Sequence, residues 1–466
     1  MSQAERMARA ALAGTPAWVV GGAVRDRLLG RPTVDLDLVA PGEPSAHARV
    51  LARACGGAAF RLSEQHAAWR VLSPDGAWHV DLMPLEGGIE EDLARRDFTI
   101  NALAQPLEGG RLLDPHGGLA DLEAGRLRMV SERSFDADPL RVLRAARLAC
   151  ELGLDVEPAT RTAALARAPG LATVAPERMF AELRHVVCSP DPLRGIGLMD
   201  LVGATAVVLP ELADLRGVEQ SDYHHLDVHD HTLAVLAEVI ALERDPEPAA
   251  GEHAEAVASL LAEPLADELT RGGALRLGAL LHDVAKPPTR DQTPEGRVTF
   301  VGHDELGAEL ARAALRRLRA SARLGAHVAG LVRNHLRLGF LVHERPLTRR
   351  AVHRYLRACE PLEVDVTLLS IADRLATRGR RSEPAIAAHL ELAREVIGEG
   401  LEWRSAGPPS PLLRGQELAG ELGLTPGPEI GRLLRALEEA QFAGEVRTRD
   451  DAVALARRLL EAPADG

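Results

Sequence analysis

From Val34 to Val39 apolar and polar residues alternate, so that Val34, Leu36 and Leu38 face one side of an expected strand and Asp35 and Asp37 the other. Trp18-Val19-Val20 predicts a short buried strand before it, Gly21-Gly22 a turn free of Cβ, and Ala23 to Leu29 a helical segment that Gly30 ends. Ser45 to Cys55 has amphipathic helical spacing. Phe60 to Leu62, Trp69 to Leu72 and Trp78 to Met83 predict short strands, with Asp75-Gly76 as a hairpin turn. Further on the period changes. The stretch Phe135 to Leu148 begins a long helix, with Asp138 as its cap and Pro139 in its first turn, and Pro176 to Val187 is again helical. A helix opens near Tyr223, an apolar helical run ends in His282-Asp283, and Ser382 to Glu399 is again helical before a linker at Ser405 to Ser410. The expected class is α+β: a mixed-sheet head followed by a mostly α-helical body.

The chemistry gathers first around the strand. Carboxylates two residues apart on one face lie roughly 6–7 Å apart at Cα, close enough to share a hard cation such as Mg²⁺. A triphosphate fits the amides of Gly21 and Gly22 with Arg25 beside it. An isolated D-x-D is as easily a solvated pair on an edge strand; here the turn, the arginine and the carboxylates fall within seventeen residues, which favours a metal-nucleotide site. Asp81 is either a third carboxylate or a surface or capping group. In Arg95-Arg96-Asp97 a guanidinium is available to phosphate with the aspartate orienting it. Asp138 with Arg141, Arg144 and Arg147 places an acceptor and guanidinium groups on one helix, a means of bonding a base edge; a solvated basic face fits the same pattern.

A second cluster of ligand-type residues lies downstream. His231, His282, Asp283, His303, His335 and Asp373 offer imidazole and carboxylate donors suited to a divalent metal that activates water. His224, His225 and His229 fit equally well as histidines satisfied by backbone carbonyls.

Composition narrows the setting. At 466 residues the chain is long enough for three or four domains, and 46% hydrophobic with 26% charged residues describes a soluble globular protein. No apolar run of about eighteen residues and no signal-peptide core is present, so a cytoplasmic location and no membrane partner are expected. Cys55, Cys150, Cys188 and Cys359 are too scattered for a zinc knuckle. The net charge of −13 argues against a nucleic-acid partner until its distribution is seen: Glu211 to Arg271 holds fifteen acidic and three basic residues, whereas Arg126 to Arg194 holds eleven arginines and nine acids. Of 55 basic residues the one lysine is Lys286, three residues after Asp283.

The run GGAVRDRLLGRPTVDLDLV resembles the G-G-x-V-R-D-x-L-L-G…D-x-D signature of the class II tRNA nucleotidyltransferase and bacterial poly(A) polymerase superfamily, and RRDFTINA resembles a further element of it. The resemblance implies a polymerase-β-like nucleotidyltransferase head at 1–125, a helical nucleotide- and RNA-binding neck at 126–215, an HD domain at 216–385 and a helical tail at 386–466. It implies catalysis by Asp35 and Asp37 with Mg²⁺, phosphate binding by Gly21, Gly22, Arg25 and Arg96, and base selection by Asp138 and Arg141 with Arg144 and Arg147 nearby. In the family's E-D-x-x-R element the glutamate is replaced here by Ala137. Glu177, Arg178 and Glu182 are expected to form a structural network. His231, His282, Asp283 and Asp373 resemble the H…HD…D set of HD phosphohydrolases, with His303 and His335 as additional metal ligands and Lys286 beside a bound phosphate. The implied activity is addition of C and/or A from CTP and ATP to the tRNA 3′ end (CCA addition), together with an HD-domain phosphohydrolase activity, with a poly(A) polymerase or a partial CC- or A-adding enzyme as alternatives on the same head. A metal phosphohydrolase with the head reduced to RNA binding is the alternative from another class.

Overall fold

The computed structural model describes residues 1–33, 35–63, 67–220, 226–344, 346–378 and 382–461; Val34, Tyr223, His224 and His225 lie outside them. The chain divides into two compact units, Met1–Val208 and Leu209–Gly466.

The first unit is built on a six-stranded mixed sheet in the order β3-β4-β5-β2-β1-β6. Its strands are β1 Trp18–Val20, β2 Asp35–Ala40, β3 Ala58–Ser63, β4 Ala68–Leu72, β5 His79–Pro84 and β6 Ala104–Pro106. The β2–β5 pair is parallel, and the other neighbours in this sheet are antiparallel. Alternation along β2 sends Leu36 and Leu38, 2% and 0% exposed, into a core with Val80, Leu82 and Leu51 of the helix Pro44–Cys55. Each such leucine contributes about 2 kcal/mol of burial. The residues between them, Asp35 and Asp37, are left on the open face. Val20 and Val39 pack on the other side with Leu93 and Ala102.

The expected helix after Asp138 is Leu140–Leu152, and a short helix that was not expected, Arg133–Ala137, precedes it; Asp138 separates the two, extended at φ −149° and ψ 101°. Pro139 explains the break, since a residue before proline is pushed out of the α region. Asp138 does cap the second helix, accepting from Leu140 N–H at 3.1 Å. Leu140–Leu152 then packs on Pro176–Val187 and Pro192–Leu201.

The second unit is largely helical. Its principal helices are Val228–Arg244, Arg271–Leu281, Ala322–Asn334, Glu363–Ala376 and Ser382–Ala406. The last, expected over Ser382 to Glu399, continues to Ala406 and stops at Gly407, φ +74°, followed by two prolines. The residues after it form their own core around Leu418, Leu433 and Ala452, held to the preceding helices by Arg350–Glu445 and by Trp403 against Phe442. Among the described residues no helix is long and apolar enough to cross a membrane.

Candidate functional site

In the head, sheet register does the assembling. Asp37 stands opposite Val20 on β1 and Asp81 on β5, and Asp35 opposite His79. His79 Nδ1 lies 3.1 Å from Asp35 Oδ1. Asp81 is engaged by Arg70 from β4, whose Nε and Nη2 donate to its two oxygens at 2.7 and 2.8 Å. Partial burial raises the Asp37 carboxyl to about 6; Arg96 pulls it down, while Asp81 and Asp35 push it up. Three carboxylates in adjacent register with one of them so raised form a donor set that suits a hard divalent cation.

Gly21 explains itself here. At φ +70° its Cα sits so close to the site that a Cβ would come within 2.8 Å of Arg96 Nη1 and 3.4 Å of Asp37 Oδ2. Gly22 begins the helix Gly22–Leu28, and Arg25 on that helix donates to Asn101 Oδ1 at 2.6 Å and to Asp26 at 2.8 Å. Arg96 donates to Asp92 at 3.0 Å.

Asp97 connects this site to the neck. Its Oδ1 accepts from Phe98 N–H and Asn101, and its Oδ2 faces Arg144 Nη1 at 3.4 Å. Arg144 also donates to Glu182, as does Arg147, which reaches Glu151 as well. Arg141 donates to the carbonyls of Ser134 and Arg95 at 3.3 and 3.0 Å. Asp138 accepts from Arg178 at 2.7 Å. The basic face expected on this helix is therefore an ion-pair lattice with Glu182 at its centre. Desolvation works against the Arg144 charge, yet Asp97 and Glu182 raise its pKa further.

In the second unit, chain segments far apart in sequence bring six ligand-type residues together. His282 and Asp283 follow the helix Arg271–Leu281, His335 follows Ala322–Asn334, and Asp373 lies in the last turns of Glu363–Ala376. His231 Nε2 is 3.0 Å from Asp373 and 3.7 Å from Asp283; His282 and His303 Nε2 are 3.1 and 3.6 Å from Asp283. Nδ1 of His282, His303 and His335 each meets a backbone carbonyl, at 2.8, 2.7 and 2.6 Å. A carbonyl only accepts, so each Nδ1 carries a proton and Nε2 is the atom left available to a metal. His282 Nε2 is buried 3.1 Å from an Asp283 oxygen; burial lowers the imidazole pKa, but the Asp283 carboxylate outweighs it and raises it, so the contact calls for a positive charge between the two groups. A divalent cation would supply that charge in place of a proton.

The electrostatics agree. Burial pushes Asp283 up, but His282 and Lys286 hold it well below the usual range; burial likewise pushes Asp373 up, and the hydrogen bond and charge of His231 outweigh it and leave its pKa lowered. Burial, then His282, pushes His335 down to about 4, leaving it neutral. Lys286 Nζ lies 2.7 Å from Asp283 Oδ2 and 2.6 Å from Gln220 Oε1. A cavity of about 780 Å³ opens beside the cluster, lined among others by Lys286, Arg297, Arg374 and His389.

Several of these groups were not anticipated. Arg70 and His79 meet Asp81 and Asp35 only across strands; Asn101 lay within RRDFTINA without a role; His389 reaches the cavity from the helix Ser382–Ala406. The alternation of His79 with Asp81, in the strand beside D-x-D, was the available signal.

Comparison with known proteins follows the same division. Residues 17–80 and 74–128 match the poly A polymerase head domain, 153–215 the family described as "Probable RNA and SrmB- binding site of polymerase A", and 250–378 the HD domain. An A-adding tRNA nucleotidyltransferase of Deinococcus radiodurans is 41% identical over 449 residues, 95% of each chain. A CC-adding tRNA nucleotidyltransferase of Thermus thermophilus is 40% identical, covering 94% of this chain and 92% of its own. In fold the chain resembles the Bacillus stearothermophilus CCA-adding enzyme in complex with CTP, with TM-score 0.63 at 23% identity over 99% of this chain and 98% of that one. The head, the neck and the HD cluster thus stand in a chain that belongs to the tRNA nucleotidyltransferase family, with a poly(A) polymerase-type head and an HD domain.

Proposed function

We propose that the chain transfers CMP, AMP or both from CTP and ATP to the 3′ end of tRNA without a template. The observation that carries this is the placement of Asp35 and Asp37 on the open face of the sheet with the Arg96 guanidinium packed against Gly21. Asp35 and Asp37 would hold Mg²⁺, which when bound lowers the pKa of an attacking hydroxyl and neutralises charge on a leaving pyrophosphate. Gly21, Gly22, Arg25 and Arg96 bind the triphosphate. Arg25 is held for this by Asn101 and Asp26, so its orientation is set before the nucleotide arrives. Asp138 and Arg141 face the base, while Arg144 and Arg147 act through Glu182 to fix their helix. A tRNA substrate implies a cytoplasmic setting.

The relatives named above divide the work, one adding A and the other CC, at nearly equal identity. The test is extension of tRNA lacking CCA, lacking only A, or mature, with labelled CTP and ATP resolved to single nucleotides. Addition limited to these positions supports the proposal; long A-tails would make the chain a poly(A) polymerase, and no incorporation would reject it.

A second activity is favoured by the histidine–aspartate cluster and its adjoining cavity. His231, His282, Asp283, His303, His335 and Asp373 would hold one or two divalent ions, whose chemistry when bound is to supply hydroxide at neutral pH. Lys286 would hold the phosphate of a cyclic or 2′-phosphate ester. Hydrolysis of 2′,3′-cyclic nucleotides with Mg²⁺, Mn²⁺ or Ni²⁺, lost in His282→Ala, is the expected result.

A further inference from the structure

The three helices that deliver His282-Asp283, His335 and Asp373 have an opposite end, and it is also polar. Arg271 opens the first helix, His327 lies in the second turn of the next, and Asp365 in the first turn of the third. Arg271 is paired with Asp365 and donates to the Pro361 carbonyl at 3.3 Å, while His327 Nε2 stands 3.6 Å from Asp365 Oδ1. Contacts at both ends therefore show the helices running side by side in one direction, with their C-terminal ends at the metal-type cluster and their N-terminal ends here. Each N-terminal end carries roughly half a positive charge.

A cavity of about 410 Å³ opens at this end, a size within the range of small-molecule sites. Its wall carries Arg271, Arg323, Arg404 and His327 against one carboxylate, Glu263, and is completed by the apolar Leu265 and Leu362. Arg404 pairs with Glu263, whereas Arg323 has no ion pair among the described residues. His327 is 7% exposed, and its Nε2 faces the Asp365 carboxylate at 3.6 Å rather than the cavity. In a chain of net charge −13, a concave wall with three guanidinium groups, one of them without an ion pair among the described residues, over three helix N-termini is a place where an anion is stabilised.

We propose that this cavity binds a small phosphate monoester with an organic body, the phosphate held by Arg323 and Arg404 and the body against Leu265 and Leu362. The site is separate from the histidine–aspartate cluster, and its occupancy does not depend on either proposed activity.

Hydrogen exchange of the full chain with AMP, inorganic phosphate or adenosine tests this, because it separates the cavity from nucleotide binding elsewhere. AMP is expected to slow exchange in 264–271 and 322–327, phosphate to do so more weakly, and adenosine not at all. Arg323→Ala, an exposed position, is expected to raise the AMP concentration needed by about tenfold, and Arg404→Ala to act in the same direction. AMP protection confined to other segments, or unchanged in both variants, overturns the proposal; equal protection by adenosine assigns the cavity to apolar ligands and overturns it as well.

Discussion

The Arg178 guanidinium donates to Asp138 at 2.7 Å, so the carboxylate proposed to read the base is already held from the helix Pro176–Val187. Ala137 stands where the family signature has glutamate, and Arg178 is the group that orients Asp138 in this chain. Arg178→Ala should leave stability within about 1 kcal/mol, since the arginine is half exposed. It should raise KM for the preferred nucleotide by about threefold or more and reduce the discrimination between CTP and ATP. Steady-state kinetics with both nucleotides measures this; unchanged selectivity would remove Arg178 from base choice.

Glu182 carries a different burden. Both its oxygens are taken by Arg144 and Arg147, and it is nearly buried. Glu182→Ala leaves two partly buried guanidinium groups without their shared partner and should cost about 2–3 kcal/mol, read as a lowered unfolding midpoint of the first unit. A loss below about 0.5 kcal/mol would mark the lattice as solvated and dispensable.

The same lattice has a pH signature. Burial pushes Asp97 up, but Arg144, Asn101 and the Phe98 amide outweigh it and leave its pKa below the ordinary carboxylate value. The stability it contributes is then complete above its unfolded pKa, about 4, and is lost as pH falls through its lower folded value. Asp97→Asn should flatten the acid limb of stability below about pH 4 and leave the alkaline limb alone. An acid limb identical to the parent's contradicts the assignment.

Gly21→Ala places a Cβ at φ +70° and 2.8 Å from Arg96 Nη1. Arg96 must move away from Asp37, so transfer activity should fall by more than about tenfold while stability falls by about 1–2 kcal/mol. Retained activity would show that Arg96 is not held in place by that contact.

Divalent ions should stabilise the second unit, because only the folded chain gathers the ligands. Mn²⁺, Ni²⁺ or Mg²⁺ should raise its melting temperature and chelation should lower it. In His282→Ala the shift should disappear with nucleotide transfer intact. A metal-induced shift that survives His282→Ala would place the ion elsewhere.

What was legible in the sequence was what depends on local period. The two-residue alternation of Asp35-Leu36-Asp37-Leu38 put carboxylates and core on opposite faces, and the helical steps of Arg141, Arg144 and Arg147 put them on one side of a helix. The helix start was legible in Asp138-Pro139, whereas the short helix Arg133–Ala137 before it was not. Bonds made across elements were not legible: Arg70 to Asp81 depends on strand order, and Arg178 to Asp138 on how two helices pack. The histidine–aspartate cluster was recovered by its family spacing, but the ring orientations that turn Nε2 toward Asp283 come from carbonyls that no motif records.

The central claim is that Asp35 and Asp37 perform nucleotide transfer to tRNA. Single-turnover incorporation of labelled CMP and AMP into tRNA lacking CCA, by the parent chain and by Asp37→Ala, measures it most directly. The account predicts incorporation by the parent and none detectable by Asp37→Ala, with both chains showing the same circular dichroism melt. Incorporation by Asp37→Ala at the parent's rate would contradict it.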